Sequence, residues 1–209
     1  MRAEPSQKRC YVFFDGQNLF HHAKEAFGYR YPNFDPQQLS ERICSGKIWQ
    51  IVRIYFYTGI PSVMDKPFWN HFWTAKMAVM GTRGIQTFSR PLRYRNQTVI
   101  LPDGTLTVVP VGQEKGVDVR IALDIVRFAL DGLYDVALVF SQDQDLSEAV
   151  EDVKRISLLQ DRWIHIASAF PVSPIVSKPR GINGTDWIKI ERATYDACID
   201  PNDYRPKTT

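Results

Sequence analysis

Short apolar runs alternate with stretches of helical periodicity along most of the chain, and that alternation predicts an α/β protein with a mostly parallel central sheet. Cys10-Tyr-Val-Phe-Phe14 contains no charged position and predicts a first buried strand. Further strands are expected at Ile51–Tyr57, Gly84–Ser89, Val136–Phe140 and Trp163–Ala169, with a late edge strand at Trp187–Ile190. Helices are expected from Gln17 to Phe27, from Pro36 to Cys44, from Val117 to Leu130, from Leu146 to Ser157 and, briefly, from Glu191 to Cys198. Proline suits the first turn of a helix, so Pro67 starts another, whose Trp69, Phe72, Trp73, Met77 and Met80 form a core-facing stripe. Pro102-Asp103-Gly104 interrupts the β-rich stretch from Leu92 to Val111, which predicts an inserted β-hairpin. Pro171 to Thr185 reads as an excursion over the surface, and the tail from Pro201 as frayed.

Bulk properties narrow the class. A length of 209 residues suits one domain, 1–209. No apolar run is long enough to cross a bilayer, and the polar stretch Met1–Arg9 is unlike a signal peptide. The three cysteines, Cys10, Cys44 and Cys198, form no CxxC pair, so a reducing cytoplasm is expected, with neither a disulfide framework nor a zinc site. The net charge of +3 is compatible with a nucleic-acid partner but is shared by many enzymes.

Three segments carry candidate chemistry. Asp15-Gly-Gln-Asn18 follows the first strand, and ligands of open α/β sheets bind beyond the carboxyl ends of strands. Asp15 could equally cap the next helix. Ser141-Gln-Asp-Gln-Asp-Leu146 repeats the situation; one carboxylate would serve as a cap, whereas Asp143, Asp145 and Ser141 together exceed that need. On the helix from Val117, the charges Arg120, Asp124, Arg127 and Asp131 share one face, expected to be solvated. Asp118 falls opposite, in a stripe with Ala122, Ile125 and Ala129, where a carboxylate is costly unless neutralised. If all three segments open on one sheet edge, Asp15, Asp118, Asp143 and Asp145 converge, and their repulsion calls for a cation. An all-oxygen donor set suits Mg2+ or Mn2+, which can activate water for attack at phosphorus.

Phe13-Phe-Asp-Gly-Gln-Asn-Leu19, Lys115-Gly-Val-Asp-Val119 and Val139-Phe-Ser-Gln-Asp-Gln-Asp-Leu146, in that order, resemble the NYN domain family (LabA-like proteins) of PIN-like nucleases. The resemblance spans a core of about residues 10–170, leaving about 171–209 as a C-terminal extension. It implies a Rossmann-like three-layer α/β/α fold, an acidic Mg2+ or Mn2+ site and endonucleolytic hydrolysis of RNA. By position it makes Asp15, Asp118, Asp143 and Asp145 metal-site residues, and Asn18 a polar member of the catalytic set that holds a water or a phosphate. One departure is that Gln142 and Gln144 surround Asp143, where the family often has glycine between its aspartates. Because the family includes proteins with no demonstrated reaction, a catalytically weak or inactive RNA-binding or regulatory protein is the alternative. A phosphatase built on a nucleophilic Asp15 ranks last, since Gln17 stands where it would need an acid.

Substrate contacts are expected from Lys115, at the mouth of the helix bearing Asp118, and from Ser141. Arg93 and Arg95, with Arg90 and Tyr94, mix charge and ring at the start of the hairpin, as single-strand binding requires; protection of a solvated edge is the plainer use. Lys178 and Arg180 could track a backbone from the surface excursion. The expected partner is single-stranded RNA, with DNA as an alternative and self-association open. His21 and His22 are not needed where a metal activates water.

Overall fold

The computed structural model describes residues 2–113, 115–176 and 179–207. In chain order the elements are β1 (Lys8–Asp15), α1 (Gly16–Phe27), α2 (Pro36–Cys44), β2 (Trp49–Ile60), α3 (Pro67–Thr82), β3 (Gln86–Pro91), β4 (Arg93–Ile100), β5 (Leu106–Gln113), α4 (Val117–Leu130) and β6 (Val136–Phe140). A 3-10 turn, Gln144–Leu146, then leads into α5 (Ser147–Leu159), followed by β7 (His165–Pro171), β8 (Asp186–Ile190) and α6 (Arg192–Asp196).

The apolar run of β1 is buried on both faces because strand side chains alternate. Cys10, Val12 and Phe14 enter one core, with α1, α2 and α3, while Tyr11 and Phe13 enter the other, with α4 and α5. This makes β1 a central strand of a six-stranded parallel sheet in the order β3-β2-β1-β6-β7-β8. The chain winds outward from β1 to β3, then returns through α4 to start again on the other side of β1. The order therefore reverses between β1 and β6, and it is at such a switch point that a doubly wound sheet opens a crevice. Phe14 and Phe140, neighbours in register, stack there with ring centroids 4.1 Å apart. Helix α1 leaves β1 so tightly that a Cβ on Gly16 would stand 2.5 Å from the Phe56 ring, so only glycine fits.

The hairpin forms as expected, with β4 and β5 antiparallel and Ile100 opposite Leu106. It makes a separate two-stranded sheet. At its base the Ser62 N–H donates to Tyr94 Oη at 3.3 Å, while Ile100, Leu101, Leu106 and Val108 are exposed.

In the C-terminal region the late edge strand and the short helix form as expected, while the tail departs from expectation. β8 completes the sheet, and Tyr195, Cys198 and Tyr204 are buried in the core beside α2 and α3. The tail is not frayed at Pro201. The Lys76 ammonium, fully buried on the apolar stripe of α3, donates to the Phe34 carbonyl at 2.8 Å and to Asp200 Oδ2 at 3.1 Å, and Tyr204 Oη donates to the same oxygen at 2.7 Å. An unpaired buried ammonium is prohibitive, so Lys76 holds the tail in place. The excursion after β7 is likewise partly interior, because Ile182 is completely buried. Among the described residues no helix is long and apolar enough to cross a membrane, and the three cysteines are free and buried.

Candidate active site

The end of β1 delivers Asp15 to the switch point. Its backbone is extended, and Oδ1 accepts from the Asn18 N–H at 3.1 Å, so Asp15 does cap α1. Its other oxygen, Oδ2, accepts from Ser141 Oγ at 3.3 Å, just past the end of β6. Asp15 is 4% exposed, so capping and a place in the crevice are the same position. Ser141 Oγ in turn accepts from the Asp143 N–H at 3.1 Å. Asn18 Oδ1 accepts from the Gln142 N–H at 2.9 Å, which turns the donor end of its amide away from that loop. Asp143 Oδ1 accepts from the Asp145 N–H at 3.0 Å, capping the 3-10 turn. Asp15, Asn18, Ser141 and Asp143 thus form one hydrogen-bonded constellation across the β1–β6 junction.

Asp118 and Asp145, the latter tied to the constellation by its N–H, line a groove of about 410 Å³ between α4 and α5. Val119, Leu123 and Leu146 line its apolar part, and Glu148 and Asp152 add to its acidic rim. Asp118 is half-buried rather than sheet-facing. The reason is the rotation of α4, whose buried stripe runs through Val117, Ile121, Asp124, Ile125 and Ala129. The face expected to be solvated is therefore partly interior. Asp124 Oδ2 accepts from Tyr57 Oη at 2.9 Å and from Arg120 Nε at 2.8 Å, and Arg120 lies 4.9 Å over the Phe88 ring. Burial and then the Asp124 charge push the Tyr57 phenol far above its ordinary range, so it remains a donor. Val119 and Leu123, in exchange, are exposed.

Of the four expected carboxylates, Asp15 is linked through Ser141 to the backbone N–H of Asp143, the Asp145 N–H donates to Asp143 Oδ1, and Asp118 and Asp145 line the same groove. Among the described residues no three His, Cys, Asp or Glu side chains gather closely enough to hold a metal ion between them. Mg2+ keeps several waters and is usually bound through one or two carboxylates, so an oxygen-only pair still fits a hard, hydrated cation.

The remaining expected contacts are dispersed. Lys115 is exposed. Gly116 has φ +79, which favours glycine, and the Arg90 guanidinium closes on it, with Nη1 2.6 Å from where a Cβ would stand. Since Arg90 is the penultimate residue of β3, the first turn of α4 lies at the carboxyl edge of the sheet. Arg93 and Arg95 are exposed on β4, Arg180 is exposed after β7, and Lys178 lies outside the described residues.

The sequence offered no use for Gln142 and Gln144; the structure gives them one. Gln142 Nε2 donates to the Arg180 carbonyl at 2.7 Å, and Gln144 Nε2 donates to the Gly181 carbonyl at 3.0 Å. Gln144 Oε1 accepts from the Asn183 N–H at 3.2 Å. Together they strap residues 180–183 to the loop that carries Asp143. Glutamines alternating with aspartates were the available signal, but their partners lie nearly forty residues on. His21 and His22 are both pushed below the ordinary imidazole range, chiefly by burial, and stay neutral at pH 7.

Fold and site define a doubly wound α/β protein with an oxygen-rich acidic site at its switch point. The NYN domain family model matches residues 9–159, and the chain belongs to this family, part of the PIN-like superfamily with its nuclease fold. The match includes Asp15, Asn18, Asp118, Ser141, Asp143 and Asp145, and leaves β7, β8 and α6 outside it. Among solved structures, a protein of unknown function from Vibrio parahaemolyticus is similar, with a TM-score of 0.52 and 18% identity over 91% of this chain and 97% of that one. That similarity shows the fold alone. The MurG protein of Acinetobacter baumannii overlaps 87% of this chain and 45% of its own at 8% identity, with a TM-score of 0.33, too low to bear on the argument. No curated protein matches the chain.

Proposed function

We propose that the protein is a metal-dependent endoribonuclease that hydrolyses phosphodiester bonds at the β1–β6 junction. The observation that carries this reading is the hydrogen-bonded set Asp15–Ser141–Asp143, with Asn18 locked onto the same loop. Asp15 and Asp143, flanked by Asp118 and Asp145, would hold Mg2+ or Mn2+, which supplies an activated water and offsets charge on the phosphate. The chain's own residues do the positioning. Ser141 holds the Asp15 carboxylate and the Asp143 backbone N–H, the Asp145 N–H holds the Asp143 carboxylate, and the Asn18 amide presents a donor to a water or a phosphate oxygen. Lys115 and Arg90, at the first turn of α4, add positive charge where the helix dipole already favours an anion. RNA is favoured over DNA by the family resemblance, and the buried free cysteines suit a reducing cytoplasm.

A second reading is an RNA-binding protein of this fold with little or no turnover. It is favoured by the acids forming no group of three that could hold a metal ion among the described residues. Labelled single-stranded RNA incubated with Mn2+, with Mg2+ and with EDTA separates the two. The nuclease reading expects metal-dependent cleavage that falls at least about 100-fold in Asp143→Asn, roughly 2.7 kcal/mol of transition-state stabilisation. Equal cleavage by the variant would remove the mechanism. RNA binding without cleavage would support the second reading.

A further inference from the structure

A second cavity, of about 360 Å³, opens beside the candidate site and matches none of the expected substrate contacts. Its place in the fold is informative. Gln17 lies two residues beyond Asp15, Pro61 follows the end of β2, and Leu92 follows the end of β3. The cavity therefore sits on the same carboxyl edge of the sheet as Asp15, displaced toward β2 and β3.

Its lining is cationic and aromatic. Lys24, Arg30 and Lys66 reach it from three segments, and no carboxylate among the described residues lines it. All three cations are exposed. Elsewhere Arg9, Lys76, Arg83 and Arg120 each pair with an aspartate, but among the described residues these three are in no ion pair. Trp69 supplies a wall. It is half-buried and wedged among rings, with centroids 6.0 Å from Phe20, 5.8 Å from Tyr31 and 5.6 Å from Phe72, so it is held rigidly. The volume is that of an ordinary small-ligand pocket. Unpaired cations next to a rigid indole are what a base with its flanking phosphates requires.

The opposite side of the site shows the contrary character. The α4–α5 groove is rimmed by Asp118, Asp145, Glu148 and Asp152, which repel a polyanion. A strand that passes the first turn of α4 at the β1–β6 junction is thus turned away from the α4–α5 groove and drawn over Gln17 toward α1 and α3.

We propose that this cavity is a nucleotide subsite, holding one unstacked base against Trp69 and the adjoining phosphates between Lys24, Arg30 and Lys66, for a single RNA strand whose scissile phosphate lies at Asp15 and Asp143. The subsite rests on the nuclease reading, but its test needs no turnover. Fluorescence anisotropy in EDTA measures binding of an end-labelled single-stranded RNA of about 12 nucleotides, within the usual span of such sites, across a salt series. The variants are Lys24→Ala/Lys66→Ala, Trp69→Leu and Trp69→Phe. The double lysine variant changes only exposed side chains, so its fold is preserved. It is expected to bind about tenfold more weakly, with a salt slope shallower by about 1.4, since each lost phosphate contact on a single strand contributes about 0.7. Trp69→Leu is expected to lose about 5- to 100-fold in affinity, and Trp69→Phe to keep most of it. Unchanged affinity and slope in the lysine variant would overturn the subsite whether or not the wild type cleaves RNA. Failure of the wild type to bind in EDTA would overturn the subsite, while metal-dependent cleavage would still decide the nuclease reading. Unchanged binding in all three variants of a wild type that cleaves RNA would overturn this inference and leave the nuclease.

Discussion

Two regions of this protein hold carboxylates in opposite ways. In the C-terminal clasp each buried charge meets its opposite. Asp200 takes the Lys76 ammonium at 3.1 Å, and Asp35 takes the Arg83 guanidinium at 2.8 Å. At the carboxyl edge of the sheet, Asp118, Asp143 and Asp145 meet no cation among the described residues, and Asp143 is held by a serine hydroxyl and a backbone N–H. The clasp neutralises its charge internally and contributes to stability. The edge keeps negative charge directed outward, which is what a site for a cation and a phosphate needs.

The sharpest way to break this comparison is to remove one acid from each region. Asp200→Ala strands the Lys76 ammonium in the core and is expected to cost about 3–5 kcal/mol, read as a lowered urea midpoint. Asp143→Ala loses only a capping interaction and should cost about 1 kcal/mol. Equal losses would mean that the edge acids are structural too.

Acid should expose the same asymmetry. Burial acts to raise the Asp200 carboxyl, but Lys76 and the Tyr204 hydroxyl outweigh it and hold its pKa below the ordinary 3.8. A depressed folded pKa contributes stability that is fully present above the unfolded value and is lost as pH falls through the folded one. The clasp should therefore hold at pH 5 and release only below about 3.8. Tyr204, packed 5.8 Å from the Phe72 ring, can be followed by near-ultraviolet circular dichroism. Release already complete at pH 5 would contradict the ion pair.

A smaller effect tests the strap. Gln144→Ala removes hydrogen bonds to Gly181 and Asn183, and each such bond contributes about 1 kcal/mol net. Amide exchange should accelerate at residues 180–183 while β6 stays protected. Uniform acceleration would mean that the glutamine supports the whole sheet rather than this segment.

Much of this was legible in the sequence. Cys10–Phe14 and Val136–Phe140 are apolar throughout, and a strand so composed is buried on both faces wherever it pairs. Their ends then bring Asp15, Asn18, Ser141 and Asp143 to neighbouring turns, which is how motifs more than a hundred residues apart could be read together. The rotation of α4 was less legible. A stripe through Asp118, Ala122, Ile125 and Ala129 and one through Val117, Ile121, Ile125 and Ala129 share two members, and their centres differ by only about 50° of helix. Periodicity could not separate them; the Tyr57 hydroxyl, waiting for Asp124, did. Lys76 gave a warning, standing on the apolar stripe of α3 between Phe72 and Met80, but its carboxylate lies 124 residues away.

By itself, the sequence determined the order and type of the elements, the hairpin and the acids at the strand ends, because each depends on neighbours a few residues apart. Only the tertiary structure decided which face of α4 is buried, that the tail is clamped, that two glutamines strap a distant segment, and that three cations and a tryptophan share one cavity. Those outcomes depend on contacts between segments far apart in the chain, which leave no periodic trace in it.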